Sequence, residues 1–242
     1  SGMHNRLCDI PQLAALAEAH GVRLIEVRDP PPGLPVASGR KRSGKRLLTV
    51  GTDCALGKKY TALTLARELK RPGIPADFRA TGQTGIMIAG SGIPMDAVVA
   101  DFAAGAAELL SPDAAPDHWD VIEGQGSLFH PAYAGVALSL LHGSQPDVII
   151  VCHEPGRTVM LGHDGYALPE IDETIAMNLH LGARTNGAIR CGGVSLNTGA
   201  MPADEAERLI ATESDRLGIP VADPLRGGAA LSRMIDHILA ST

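Results

Sequence analysis

Residues 47–69 read LLTVGTDCALGKKYTALTLAREL, and the fold follows from this stretch. Residues 47–50 form a short apolar run of strand character. Gly51 to Gly57 is a loop bounded by glycines, and Lys58 opens a helical pattern. Glycines let a backbone curl around an anion, the loop N–H groups turn inward, and the helix N-terminus adds partial positive charge. That helix end contributes about 0.3–1 kcal/mol per anion at an exposed site, so a lysine at the rim must supply much of the rest. Lys58 is in that place, with Lys59 beside it. Gly51, Thr52, Asp53, Cys54, Ala55, Leu56, Gly57, Lys58, Lys59, Tyr60 and Thr61 are therefore the expected phosphate-cofactor surface. The pattern departs from G-x-x-x-x-G-K-[ST] in two ways. Five residues separate the glycines, and Lys59 occupies the position of the magnesium-binding hydroxyl.

Outward from this stretch, strand and helix patterns alternate, the mark of a parallel sheet covered on both faces. Strands are expected at 76–80, 119–123, 148–152 and 187–196. Helices are expected at 58–70, 95–110, 135–141, 171–181, 203–217 and 229–240. The uninterrupted VIIVC at 148–152 suits a central strand. Upstream, 10–20 reads as a helix stopped by Gly21, 22–27 alternates like a strand, and 29–46 brings PPPGLP and a Gly/Ser/basic run that reads as a solvated linker. The organisation is thus an N-terminal remnant and linker over 1–46 and a P-loop α/β domain over 47–242.

Composition narrows the function classes. The 242 residues are 45% hydrophobic, ample for one large domain with an appendage. A net charge of −6 argues against a broad nucleic-acid footprint. No apolar run reaches bilayer length and no signal peptide is evident, so no membrane partner is expected. Four scattered cysteines without a C-x-x-C pair suit a reducing cytoplasm. His130, His153 and His163 match no familiar zinc spacing, so no metal is expected.

Ligands of such sheets sit at the carboxyl ends of the strands. There the sequence places Thr81-Gly82-Gln83-Thr84-Gly85 and Glu123-Gly124-Gln125-Gly126-Ser127, short polar loops that offer Gln83, Thr84, Gln125 and Ser127 to a substrate. Glu123 is a candidate for magnesium or its water, or for accepting a proton from an attacking amine. Asp53 faces a metal or a substrate amine, or bonds its own turn amides. His130 or His153 could act as a base. Arg157, with Arg79 as the alternative, is a candidate clamp for a substrate carboxylate. Asn197 could read a purine edge or simply form a turn. Cys54, near the helix start, reads as a small loop filler more readily than as a nucleophile.

GTDCALGKKYTALTL, ATGQTGIMIAGSGIPMDAVVADFAAGAAE, VIEGQGSLFHPAYAG and GARTNGAIRCGGVSLNT together resemble an originally uncharacterised P-loop family that includes D-glutamate N-acetyltransferase. The resemblance runs from about His4 to the C-terminus, with TGQTG and EGQGS its most specific parts. It implies a P-loop NTPase-like fold, a short N-terminal appendage from a Rossmann-like domain, an acetyl-CoA-dependent enzyme of D-amino acid metabolism, and a homo-oligomer. Gly51-Thr52-Asp53, Gly57-Lys58 and Glu123-Gly124 are also similar to dethiobiotin synthetase, whose loop holds ATP and magnesium and whose strand-end Asn reads adenine. Thr61, three positions past Lys58, is too far along the helix to replace the missing hydroxyl simply.

Three functions remain open at this point. The first is an N-acetyltransferase: acetyl-CoA sits on the loop, Glu123, Asp53 or His130 takes the amine proton, backbone or glutamine amides stabilise the oxyanion, and the substrate is a small amino acid. The others are an ATP/Mg-dependent kinase or ligase and a nucleotide-binding module without chemistry.

Overall fold

Apolar residues sent alternately to the two faces build the sheet. Strand β1 (Lys45–Gly51) turns Leu47 to one face and Leu48 to the other, and β4 (Val148–His153) does the same with Val148 and Ile150 against Ile149 and Val151. The computed structural model describes residues 1–240; residues 241–242 of the expected 47–242 unit lie outside the described residues. With β2 (Ala76–Arg79), β3 (Trp119–Ile122), β5 (Arg190–Leu196) and β6 (Val221–Ala222), these strands form a six-stranded sheet in the order β2-β3-β1-β4-β5-β6. Every pairing is parallel. β1 stands where the winding reverses, so its loop is flanked by those leaving β3 and β4.

The helices are α1 (Pro11–Ala19), α2 (Lys58–Lys70), α3 (Gln83–Ala89), α4 (Ala100–Leu110), α5 (Ala134–Ser144), α6 (Ile171–Gly182), α7 (Ala203–Leu217) and α8 (Gly228–Ala240). Helices α2 and α8 cover one face of the sheet through Leu65, Leu69, Met234 and Ile238. The other face is covered by α4, α5, α6 and α7, among them Ala106, Leu141, Ile171 and Ile210. Leu65 and Leu69 are completely buried, and each such side chain contributes about 1.5–3 kcal/mol. Helix α2 is thereby pinned to the sheet, and its first turn is held at the end of β1. No helix among the described residues is long and apolar enough to cross a membrane.

Several expectations need correction. Residues 22–27 form no strand, because the sheet runs from β2 to β6 and offers that alternating segment no partner. The expected helix at 95–110 is broken: a 3₁₀ turn at Met95–Ala97 precedes α4, and the adjacent β-branched Val98 and Val99 lie extended between them. Helix α3 stands where only a glycine-rich turn was expected, and β6 was not foreseen. The basic run is not simply solvated. Arg42 donates to the carbonyls of Ser111 (2.7 Å) and Gly143 (2.7 Å), and Arg46 to those of Ser43 (3.0 Å) and Pro112 (2.8 Å). Both are buried, and burial pushes the Arg42 guanidinium down to about 10. The two side chains serve carbonyls around the C-terminal ends of α4 and α5, which helix geometry leaves unpaired.

Candidate active site

The loop after β1 is shaped by two residues of positive φ, Ala55 (55°) and Gly57 (104°). Among the described residues, the backbone N–H groups of Ala55, Leu56, Gly57, Lys58, Lys59 and Tyr60 have no hydrogen-bond partner. Unpaired loop amides at a helix N-terminus are the makings of an anion site. Lys58 is buried and folds back over the loop, donating from Nζ to the Asp53 carbonyl at 2.6 Å. Burial lowers its ammonium below the usual lysine value. Gly51 keeps this approach open, since a Cβ there would lie 3.3 Å from Nζ. Lys59 reaches over the Tyr60 ring, 4.4 Å from its centroid. The Thr61 hydroxyl is turned into the sheet, where it meets Ser195 Oγ at 2.8 Å and Cys152 Sγ at 3.6 Å. Thr52 is buried as well, its hydroxyl 3.0 Å from His153 Nδ1, and burial lowers that imidazole below its ordinary value.

Asp53 is held through both of its oxygens. One carboxylate oxygen accepts the Cys54 N–H (2.6 Å), and the other accepts from Arg157 Nη1 (3.2 Å) and the Leu161 N–H (2.8 Å). Arg157 is equally engaged, with Asp53, the Cys54 carbonyl and Glu154. Together they clamp the segment after β4, closed by an antiparallel bridge between Val159 and Ala167, onto the phosphate loop. His130 is buried beside them. Its Nδ1 accepts the Ala132 N–H at 3.1 Å, so the neutral ring carries its proton on Nε2, 3.9 Å from Asp53 Oδ1 and without a hydrogen-bond partner among the described residues. The ring stacks on Tyr133 and meets His163 edge-on. Asp53, Cys54 and His130 converge closely, but a metal would need the Nε2 lone pair, and the neutral ring carries its proton there while Nδ1 accepts the Ala132 N–H. Burial also raises the Cys54 thiol above its ordinary value.

Glu123 lies beneath the start of α3. Its Oε2 accepts the N–H groups of Thr81 (2.9 Å) and Gly82 (3.1 Å), and Oε1 has no protein partner among the described residues. Burial raises its carboxyl above the usual range, with those N–H bonds opposing. A Cβ on Gly85 would come within 2.2 Å of Oε2, so any larger residue there would have to push the Glu123 carboxylate away from its N–H donors. The two glutamine loops interlock further, through Thr81 Oγ1 to the Glu123 carbonyl (2.6 Å) and Gln125 Nε2 to Thr81 Oγ1 (3.0 Å). Ser127 Oγ donates to the Thr52 carbonyl at 3.2 Å, joining the loop after β3 to the phosphate loop.

A cavity of about 540 Å³ opens between these loops, lined by Ala55 and Lys58, by Gln83 and Gln125, and by Arg28 and Asp96. Cys54 borders it too. Thr84 faces solvent. Arg79 is bound to Asp120 at 2.6 Å, and Asn197 accepts the Gly199 N–H of its own turn at 3.3 Å. Arg28 and Asp96 escaped the sequence reading. Arg28 precedes a proline-rich segment with no motif around it, and only the folded chain brings it beside Gln83.

The family described as "Domain of unknown function (DUF1611_C) P-loop domain" matches residues 35–232, and "Domain of unknown function (DUF1611_N) Rossmann-like domain" matches residues 1–30. A protein named D-glutamate N-acetyltransferase from Tritonibacter scottomollicae is 50% identical over 240 residues, covering 99% of this chain and 72% of its own length. Another of that name from Pseudoalteromonas sp. is 46% identical over 241 residues, covering 100% and 71%. The crystal structure of a DUF1611 family protein from Anabaena variabilis superposes with a TM-score of 0.90 at 36% identity, over 99% of this chain and 70% of that one.

Proposed function

Since the chain belongs to the DUF1611 family, we propose that it is an N-acetyltransferase that moves the acetyl group of acetyl-CoA to the amine of an amino acid such as D-glutamate. One observation carries the donor assignment: the unpartnered amides from Ala55 to Tyr60, with Lys58 and Lys59 and without a hydroxyl after Lys58, suit a diphosphate held by N–H groups and ammonium charge. Acetyl-CoA would supply the acetyl group as a thioester. The amine nitrogen gains the carbonyl carbon, the C–S bond breaks, and the proton lost by the amine is the proton the thiol requires.

The chain's own groups divide that work. The phosphate loop holds the donor, and the side-chain amides of Gln83 and Gln125 line the cavity as hydrogen-bond donors for the carbonyl oxygen. Among the three expected proton acceptors, Asp53 is occupied and His130 Nε2 carries the ring proton. Glu123, with Oε1 unengaged among the described residues and its carboxyl raised above the usual range by burial, is the acceptor we assign; it adjoins Gly82 and Gly85 and does not itself line the cavity. The four cysteines are all free thiols, in keeping with a cytoplasmic workplace.

Calorimetry with coenzyme A and with ATP, each with and without magnesium, tests the donor. Thiol release on adding D-glutamate and acetyl-CoA tests the reaction. Tight magnesium-dependent ATP binding without affinity for coenzyme A would overturn the proposal.

A further inference from the structure

The cavity holds a second cation that the phosphate loop does not provide. Arg28 enters it from the segment matched by the Rossmann-like description, while the phosphate loop and both glutamine loops belong to the P-loop part. Its Nη2 lies 2.8 Å from Asp96 Oδ2, and its Nη1 lies 3.4 Å from Gln83 Oε1. The Arg28 side chain is only 11% exposed and that of Asp96 is 32% exposed, so the guanidinium is sheltered while the carboxylate keeps contact with water, and both border the cavity. A guanidinium has five N–H donors in a planar fork, and these two contacts leave donors for a planar carboxylate.

We propose that Arg28 and Asp96 together receive the head group of the amino-acid substrate, Arg28 its α-carboxylate and Asp96 its α-amine. The assignment rests on the N-acetyltransferase reading. A zwitterion and an ion pair present opposite charges at comparable separations. The head group of such a substrate docks with each charge facing its complement and adds no net charge of its own, while the side-chain carboxylate of D-glutamate brings one further negative charge. Lys58 then remains for the phosphates, so donor and acceptor do not compete for one cation. Arg79 and Arg157, the cations with carboxylate-binding potential in the sequence, do not line this cavity: Arg79 is bound to Asp120 and Arg157 to Asp53.

The test uses Arg28→Lys, Arg28→Ala, Asp96→Asn and the reversed pair Arg28→Asp with Asp96→Arg. D-glutamate affinity is read by calorimetry, and KM is read separately for D-glutamate and acetyl-CoA. The Arg28 variants should weaken D-glutamate binding and raise its KM by about ten- to a hundred-fold, the loss of a charge-assisted contact, with KM for acetyl-CoA within about threefold. Asp96→Asn should shift the same two quantities in the same direction. The reversed pair rebuilds the bridge between the two segments with the wrong polarity and should stay defective. Recovery in the reversed pair would make the contact a mere staple and overturn the proposal. Unchanged D-glutamate affinity and KM in Arg28→Lys and Arg28→Ala would do so as well, as would absence of D-glutamate binding to the unsubstituted protein. Arg28-dependent D-glutamate binding without any acetyl transfer would instead sink the proposed reaction and leave this inference standing.

Discussion

Replacing Lys58 by Met separates what the lysine does for binding from what it costs the fold. The ammonium is buried with a single neutral partner, the Asp53 carbonyl at 2.6 Å, and burial lowers its pKa. Methionine fills a similar volume without a charge to desolvate, and exchanging buried charged groups for apolar ones of like volume is often neutral or stabilising. Losing the hydrogen bond to the carbonyl sets about 1 kcal/mol against that gain. The net expectation is a ligand-free protein more stable by about 1 kcal/mol, or about 2–4 °C in Tm for a chain of this size. Binding should move the other way. A charge-assisted contact to phosphate contributes about 1.5–3 kcal/mol, so the Kd for coenzyme A should rise roughly ten- to a hundred-fold. Urea unfolding and calorimetry read the two quantities. pH supplies an internal check. Between the depressed folded value and the ordinary 10.5, the unfolded chain binds the proton that the folded chain lacks, so wild-type stability rises with pH and the advantage of the variant shrinks toward pH 10.5. A Lys58→Met protein that unfolds more easily than wild type, or binds coenzyme A within threefold of it, would refute the reasoning.

Gly85→Ala places a carbon 2.2 Å from Glu123 Oε2 and should cost about 1–3 kcal/mol in urea unfolding, with part of the loss recovered when Glu123→Ala is added. Arg42→Met strands the carbonyls of Gly143 and Ser144, with Arg46 still serving that of Ser111, and should lower stability by about 2–4 kcal/mol; a loss under 1 kcal/mol would mean that water replaces the guanidinium. For His153 the sign is that of a depressed base. The unfolded chain gains a proton as pH falls through 6.5 while the folded chain does not, so stability drops over that window until the lower folded value is passed. His153→Asn should flatten this part of the pH profile of the urea midpoint.

What could be read without coordinates was whatever depends on local pattern. Helix α2 begins and ends where the sequence reading put it, because Gly57 and the apolar spacing of 58–70 are self-contained signals. The uninterrupted run of β4 gave the sheet centre in the same way. Helix α3 was hidden because TGQTG carries the residues of a turn, and its helical state depends on Glu123 receiving Thr81 and Gly82 from another strand. A strand of two residues such as β6 has no alternation to detect. The burial of Arg42 and Arg46 depends on carbonyls some 70 to 100 positions away, and a basic run in isolation always reads as solvated. The same limit hid Arg28, whose partners Gln83 and Asp96 are supplied by the fold.

The bonds of Asp53 have a mechanical consequence. One carboxylate ties the phosphate loop to both Arg157 and the Leu161 amide, so the bridged segment over 158–168 is harnessed to the loop's shape. Seating an anion on the loop amides would tug that segment along. A change in the loop's shape would therefore reach that segment through a single carboxylate.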